Sequence, residues 1–440
     1  MTRPKLVVLD DDPTGSQTVH SCLLLLRWDP ETLQTAWTDA SPLFFILGNT
    51  RARPPEMAAQ VTREICRNLR QVAGENLLDQ ALVISRSDST LRGHYPLEVD
   101  VLNEELGPFD GHLLIPAFIE GGRITRDSVH YLLVNGQPVP VDQTEFAKDS
   151  VFGYPSAYLP AYVEYKTGGR IRQDQVVRVT LAHIRSGALD ELLLGLRHNA
   201  CAVVDAETLA DLQQVAQALY RAHAQGKRLL LRSAAGIVSA LAQLPPQPVA
   251  PAAMSTYVQG KLPGVVVVGS HVRLSTQQVE HLLQQPGVQG MELPIQQLGA
   301  GQTPQQLVEQ VMPAVTQALN QGLIPVVYTP RQELSFPDQA TRLQFGAQVA
   351  QTTALLVQQL PPEIGFLVSK GGITSNEILS HGLALTAVRL LGQIVPGINV
   401  IRTPADHPRF PHLPVVIVPG NVGGPDVLAT IVQRLHPRQL

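Results

Sequence analysis

The sequence predicts an α/β protein of two domains, each with a mainly parallel Rossmann-like sheet flanked by helices. Three observations point there. Short apolar, strand-length runs alternate with segments of helical periodicity. The alternation lapses over a stretch dense in Pro, Ala and Gln and then restarts. At 440 residues the chain is also long for a single core. The expected division is a domain over 1–245, a linker over 246–263 and a domain over 264–440. The cleft between two such domains is a common place for a bisubstrate enzyme to work, so the active site is expected there.

In the first half, Lys5–Asp10 (KLVVLD) and Leu43–Thr50 (LFFILGNT) read as buried strands, and Pro55–Ala73 carries apolar residues at helical spacing. Ala81–Asp88 (ALVISRSD), His112–Ala117 (HLLIPA) and Ala200–Ala206 (ACAVVDA) read as further strands. A helix at Thr208–Ala224 and a strand at Arg228–Ala234 (RLLLRSA) complete the pattern. From about Gly121 to Gly169 the rhythm breaks in a segment rich in Gly, Pro, Tyr and polar residues, expected to form a lid or hairpin.

The linker composition suits an extended segment. Beyond it, GVVVVGS reads as a strand, STQQVEHLLQQ as a helix, and Pro304–Gln321 as a long helix. LIPVVYT, a helix near Asp338–Gln359, GFLVSK, a helix near Asn376–Leu385 and PVVIVPG follow.

Composition narrows the function classes. Hydrophobic residues make up 44% and charged residues 16%, with a net charge of −4 and no basic block, which gives no electrostatic footprint for nucleic acid. Cys22, Cys66 and Cys201 are far apart and form no CxxC, which reads as reduced thiols in a cytoplasmic protein. No apolar run is long enough to span a bilayer, and the start is charged where a signal peptide is apolar, so no membrane partner is expected. The histidines form no HxH or HxxxH pair, and no metal-ligating residue is assigned.

Asp10-Asp11-Asp12-Pro13-Thr14-Gly15 sits at the carboxyl end of the first predicted strand, where open α/β sheets bind ligands. Carboxylates there orient substrate hydroxyls, take a proton from an attacking hydroxyl, or hold magnesium through water. Pro13, Thr14 and Gly15 also suit an Asx-capped turn, but three acids exceed what capping needs. Asp10-x-Asp12-x-Thr14 equally matches the nucleophile loop of haloacid-dehalogenase-type phosphatases, with a covalent first Asp and a second Asp as general acid. That class needs a late acidic pair for magnesium, and the only Asp-Asp in the chain is the opening one.

SRSDSTLRG gathers Arg86, Asp88, Ser89, Thr90 and Arg92. Arginine forks take carboxylates, and Asp, Ser and Thr take hydroxyls, a set that suits a small polyhydroxy acid. A capped helix start with solvated arginines is the plainer alternative. FIEGGRITR adds Gly122 and Arg123, in a flexible hairpin or a close backbone approach to ligand.

The second half carries three strand-to-helix turns. Gly269–Ser270 precedes Ser275-x-x-Gln278, and Gly371–Gly372 precedes Thr374-x-x-Glu377, both resembling capping boxes. Gly420, Asn421, Val422, Gly423 and Gly424 precede Pro425, which suits a first helical position. Glycine turns feeding helices suit anions, although each also reads as an ordinary cap. His271 and His407 stand where a nucleotide could be contacted. There is no Walker A sequence and no GxGxxG.

Together, DDDPTGS, DSTLRG, SAAG (Ser233–Gly236), GS, GGITS and GNVGGPD resemble the four-carbon acid sugar kinase family in order and spacing over almost the whole chain. DSTLRG and GNVGGPD are the specific items. The opening motif departs at Pro13 and Asp10, and GGITS at Ile373. The resemblance implies ATP-dependent phosphorylation of a threonate, erythronate or 3-oxo-tetronate, with Mg2+ travelling with the nucleotide. On matching positions it implies Asp11, Asp12, Asp88, Ser89 and Arg92 at the acid-sugar site, and Asp10 is expected beside them as a substrate-binding residue. It implies Ser270, Gly372, Thr374 and the Gly420–Gly424 turn at the nucleotide site, and Gly371 is expected beside them. Asp11, Asp12 or Asp88 is expected to position the acceptor hydroxyl and one of them to act as base, Asp12 first, and Arg92 with Arg86 or Arg123 is the expected holder of the substrate carboxylate. An oligomer is compatible with this reading. The alternatives are the phosphatase using Asp10 and Asp12, and a non-catalytic sensor of a sugar acid or nucleotide.

Overall fold

The computed structural model describes residues 3–260, 262–270, 272–331, 338–420 and 422–436. It divides into two compact units, Met1–Pro245 and Pro246–Leu440.

The main sheet of the first unit uses β1 (Lys5–Asp10), β2 (Leu23–Leu25), β3 (Leu43–Leu47), β4 (Ala81–Arg86) and β5 (Gly111–Ile115). A small separate sheet follows, of β6 (Arg123–Arg126), β7 (Val129–Val134) and β8 (Gln137–Pro140). The chain then returns to the main sheet with β9 (Val177–Val179), β10 (Ala200–Val204) and β11 (Leu229–Ser233). The order is β2-β3-β1-β4-β11-β5-β10-β9, and every neighbouring pair is parallel. Strands β3, β4, β5 and β11 are buried at every position, as expected of a parallel sheet covered on both faces. The covering helices read as amphipathic. Pro55–Ala73 buries Ala58, Val61, Thr62, Ile65, Cys66 and Leu69, one stripe at helical spacing.

The strand order decides where a ligand sits. From β1 the chain moves to β3 on one side, then returns to β4 on the other. The loops leaving β1 and β4 therefore diverge, and a crevice opens at their carboxyl ends.

The second unit contains β12 (Val265–Val268), β13 (Val288–Glu292), β14 (Ile324–Tyr328), β15 (Leu367–Lys370), β16 (Ala387–Val395), β17 (Ile398–Arg402) and β18 (Pro414–Val418). Its order is β13-β14-β12-β15-β18-β17-β16. The pairs from β13 to β18 are parallel, whereas β18-β17 and β17-β16 are antiparallel. Here too the chain goes from β12 to one side and returns to β15 on the other, so β12 and β15 flank a second switch point.

Both units are thus α/β, with a parallel main sheet and a small antiparallel one in the first unit and a mixed sheet in the second. The hairpin β16-β17 was not among the expected strands. Its signal was alternation: Val388, Leu390 and Ile394 are buried while Arg389 is exposed, with Gly397 in the turn. The helix expected near Asn376–Leu385 runs instead over Gly372–Glu377 and continues as a π-helical turn to Gly382. The stretch read as extended holds a 3-10 helix, Pro251–Tyr257, whose Met254 is fully buried in the second unit's core beside Val266 and Phe366. Among the described residues no helix is long and apolar enough to cross a membrane.

Candidate functional site

In the first unit the acids of the opening loop separate by burial. Asp10 ends β1 with its side chain 1% exposed, and its Oδ1 accepts from Arg86 Nη1 at 3.1 Å. Its Oδ2 has no partner, and burial with the neighbouring Asp11 and Asp12 charges outweighs Arg86, pushing its pKa up to about 7. Asp11 is equally buried and accepts from Arg51 Nη2 at 2.5 Å and Ser87 Oγ at 2.7 Å. Asp12 is different, with its side chain 21% exposed. It caps the Thr14 amide at 2.8 Å and lies 3.5 Å from Arg51 Nη1. Burial works to raise its pKa, but Arg51, Thr14 and Arg86 outweigh that, so Asp12 is held below the usual carboxylate range. Gly15 folds back over the inner pair: a Cβ there would collide with the Asp10 carboxylate and Arg86 Nη1.

The loop after β4 meets this one across the switch point. Asp88 accepts from Arg92 Nε at 2.7 Å and from the Thr90 hydroxyl. Arg51, Arg92 and these bonds outweigh burial and hold Asp88 well below its ordinary range. Arg51 feels Asp11, Asp12 and Asp88 together, which overcome the cost of its own burial. Gly93 takes φ +124, and a Cβ on it would strike Ser87 Oγ. Beneath, Arg232 donates to Glu98 at 2.5 Å, Ser85 at 2.7 Å and Ser87 at 2.9 Å. Ser87 passes this support to Asp11.

The segment expected to be a lid grips the same loop. His130 Nε2 meets the Ser89 carbonyl at 2.7 Å, Tyr154 donates to the Thr90 carbonyl at 2.7 Å, and Tyr162 donates to the Leu91 carbonyl at 2.9 Å. His130 is fully buried, and burial brings its pKa down to about 4, so it is neutral. Its Nδ1 pairs with the Thr125 hydroxyl, which leaves Nε2 as the donor to Ser89.

The expected residues thus divide. Asp11, Asp12, Asp88 and Arg92 meet in one charged cluster, with Arg123 coupled to it through Asp88. The Arg86 side chain is 5% exposed and its Nη1 is paired with Asp10 Oδ1, while Arg86 Nε and Asp10 Oδ2 have no partner, so Arg86 lies inside the unit rather than facing a substrate carboxylate. Thr90 is 1% exposed and spends its hydroxyl on Asp88. Ser89 is buried and contributes its carbonyl to His130. Gly122 closes a hairpin contact, its N–H bonded to Ile119 and its carbonyl to Leu133. Arg123 donates to the Gly121 carbonyl, its Nε is unpartnered, and no carboxylate among the described residues lies within 4.0 Å. A nucleophilic Asp10, as the phosphatase alternative needs, disagrees with its burial under Gly15 and its pairing with Arg86.

Sequence reasoning missed Arg51, Glu98 and Arg232. Arg232 had a signal: a charge inside the apolar run LLLRS must be paired internally. Arg51 follows the carboxyl end of β3, beside the acidic loop.

In the second unit, three glycine-bearing segments converge on Ser270. Ser275 Oγ lies 2.9 Å from Ser270 Oγ and 3.3 Å from the Gly420 carbonyl. Gln278 donates to Val422 at 3.1 Å and Gly424 at 3.0 Å. Ser275 and Gln278 are therefore buried stitches inside the helix Arg273–Leu283, not its cap. Thr374 likewise lies inside Gly372–Glu377 and packs so close to Gly269 that a Cβ there would collide with its hydroxyl. Pro425 precedes the N-cap, which is Asp426, and the helix runs Val427–Leu435. Beside Gly371 the structure adds Lys370, completely buried, donating to the Pro419 carbonyl at 2.5 Å and the Gly420 carbonyl at 3.0 Å. Burial pulls its pKa down to about 7. Asn421 and His271 lie outside the described residues, and His407 Nε2 is bonded to the Leu383 carbonyl at 2.8 Å. A Cβ on Gly420 would stand only in ordinary contact with Ser270 Oγ, at 3.7 Å, and the cradle offers hydroxyls and main chain, which fits a phosphate-bearing ligand. Among the described residues no cluster of three His, Cys, Asp or Glu is placed to hold a metal.

Residues 6–241 match the family model described as the sugar-binding N-terminal domain. The chain belongs to this family. Residues 265–428 match a second model, the nucleotide-binding C-terminal domain. The sugar-binding unit and the nucleotide-binding unit thus carry one candidate site each. D-erythronate kinase of Heliobacterium modesticaldum (strain ATCC 51547 / Ice1) is 28% identical over 227 residues, 49% of this chain and 48% of that protein. The chain spans about half the length of the curated relative it matches. Two solved structures share the fold. Haemophilus influenzae protein HI1011 has a TM-score of 0.64 at 18% identity, covering 98% of this chain and 100% of that one. The putative tRNA synthase of Salmonella typhimurium LT2 has a TM-score of 0.70 at 17% identity, covering 98% and 99%. The two family models give a sugar-binding unit followed by a nucleotide-binding unit.

Proposed function

We propose that the protein transfers the terminal phosphoryl group of MgATP to a hydroxyl of a four-carbon sugar acid, of threonate, erythronate or 3-oxo-tetronate type. One observation carries this reading: at the switch point of the sugar-binding unit, the only one of three consecutive aspartates to reach solvent, Asp12, faces a cluster of arginines. MgATP supplies the transferable group and its own charge neutralisation. Asp12, held ionised, accepts the proton of the attacking hydroxyl. Asp88 orients the acid's hydroxyls. Arg123, with no carboxylate within 4.0 Å among the described residues, binds the carboxylate with help from Arg92. Asp11 acts by fixing Arg51. Gly372, Thr374, Ser270 and the Gly420–Gly424 turn, with Asn421, Val422 and Gly423, receive the phosphates. Magnesium travels with them and needs only one or two protein ligands. Such catalysis is mostly positioning and charge neutralisation, and it requires the two substrates to be brought together away from water.

The erythronate member of the set is the one for which the Heliobacterium relative is named. ADP formation with MgATP across a panel of four-carbon acids tests the proposal. At least one acid should accelerate ADP release well above the acid-free rate. Ligand-induced stabilisation with no acceleration by any acid would favour a sensor instead.

A further inference from the structure

The sugar-binding unit pairs most of its buried charges with acids. The nucleotide-binding unit does not. Arg331 follows the carboxyl end of β14, the neighbour of β12, and it has no carboxylate within 4.0 Å among the described residues. Its guanidinium is held by main chain: Nε donates to the Thr329 carbonyl at 2.9 Å and Nη1 to the Ser270 carbonyl at 2.8 Å. Nη2 donates to the Thr329 carbonyl and to the Thr329 hydroxyl, the latter at 3.0 Å, which leaves one N–H on Nη1 for a ligand. The ring of Tyr328 lies 5.6 Å from the guanidinium carbon. The side chain is therefore fixed in direction against Ser270, the residue on which the three glycine segments converge.

A partly buried guanidinium without a counter-ion is costly, and carbonyl dipoles return only part of the lost hydration. Burial works against the charge of Arg331. The second cation of this rim, Lys370, is also bonded only to carbonyls, those of Pro419 and Gly420, and it is completely buried. Lys370 thus shapes the turn from below, whereas Arg331 keeps part of its surface open. Two cations at one switch point, neither with a carboxylate within 4.0 Å among the described residues, suit an anion of more than one charge. The permanent charge, fixed in place by Thr329 and Ser270, and the N–H left on Nη1 suit a phosphate oxygen.

We propose that Arg331 is a phosphate-binding residue of the nucleotide unit, contacting the polyphosphate chain of a nucleoside di- or triphosphate beside Ser270. This rests on the nucleotide reading given above. The role is a charge held in a fixed place, so Arg331→Gln should lose the charge and Arg331→Lys only its fixed placement.

The test is titration of the unaltered protein, R331Q and R331K with MgADP and, separately, with adenosine, with inorganic tripolyphosphate as a competitor. The thermal midpoint of each variant is measured without ligand. The expected result is a tenfold or greater loss of MgADP affinity in R331Q and a smaller loss in R331K. Adenosine binding and the midpoint should stay unchanged, and tripolyphosphate should displace ADP from the unaltered protein. Equal MgADP affinity in R331Q and the unaltered protein overturns the assignment. So does a parallel loss of adenosine binding or of the unliganded midpoint, which marks a structural role. If the unaltered protein binds neither MgADP nor tripolyphosphate, the nucleotide reading itself fails, and that outcome is distinct from the others.

Discussion

Asp12 and Lys370 show how burial assigns different work to charged residues at strand ends. Asp10 and Asp11 are sealed by Arg86, Arg51 and Ser87, which leaves Asp12 as the solvent-facing acid. Asp12→Asn is expected to lower turnover by about 10²–10⁴-fold, the range of general-base catalysis. Nucleotide affinity, read by titration, should be unchanged. A group held below its ordinary pKa is ionised throughout neutral pH and is lost only as pH falls through the depressed value. The acid limb of the rate profile should therefore lie below the range of an ordinary carboxylate, and a limb near pH 7 would point to Asp10 instead. Lys370 gives the opposite sign. Its pKa is about 7 folded, against about 10.4 for an ordinary lysine, so between those values the unfolded chain binds the extra proton. Stability conferred by the native state rises over that window. Lys370→Met should thus hold its largest advantage, or smallest deficit, in thermal midpoint near pH 6, and lose ground to the unaltered protein as pH approaches 10. A midpoint difference that stays flat with pH would contradict this.

At the scale of elements, the antiparallel insert and the loop it grips form one device. His130, Tyr154 and Tyr162 bond the successive carbonyls of Ser89, Thr90 and Leu91, and Asp88 and Arg92 stand at either side. Tyr154→Phe and Tyr162→Phe should each cost about 1 kcal/mol, measured by chemical denaturation, because each leaves a buried carbonyl without its donor. Both should raise KM for the acid more than KM for ATP, since the loop they hold belongs to the sugar-binding unit. Equal shifts in the two constants would argue against that. Most of these elements were legible in the sequence. Strand β1 and the helix Pro55–Ala73 stand where their apolar patterns put them. The clamp was not legible, because nothing in a Tyr or His says which distant carbonyl it will meet. The β16-β17 hairpin was hidden by a half-exposed alternation weaker than the all-apolar runs around it. The 3-10 helix Pro251–Tyr257 was hidden by its proline content, which suits an extended segment as well as a packed one.

At the scale of the whole molecule, the same topology occurs twice. In each unit the chain departs from its first strand to one side and returns on the other, and the residues singled out by motif lie at that reversal. The acidic loop and DSTLRG meet at β1 and β4, and the glycine segments meet at β12 and β15. Their placement at strand ends could be read from the sequence. Their pairing could not, since it depends on strand order, which no local pattern encodes. The supporting charges Arg51 and Lys370 became visible only with their partners. The central claim is that the two units serve a single phosphoryl transfer between a nucleotide and a sugar acid. The most direct measurement follows labelled terminal phosphoryl from MgATP in the presence of each four-carbon acid. The account predicts label in an acid phosphate ester, dependent on Asp12. Label appearing only as inorganic phosphate, or remaining on ATP with every acid, would contradict it.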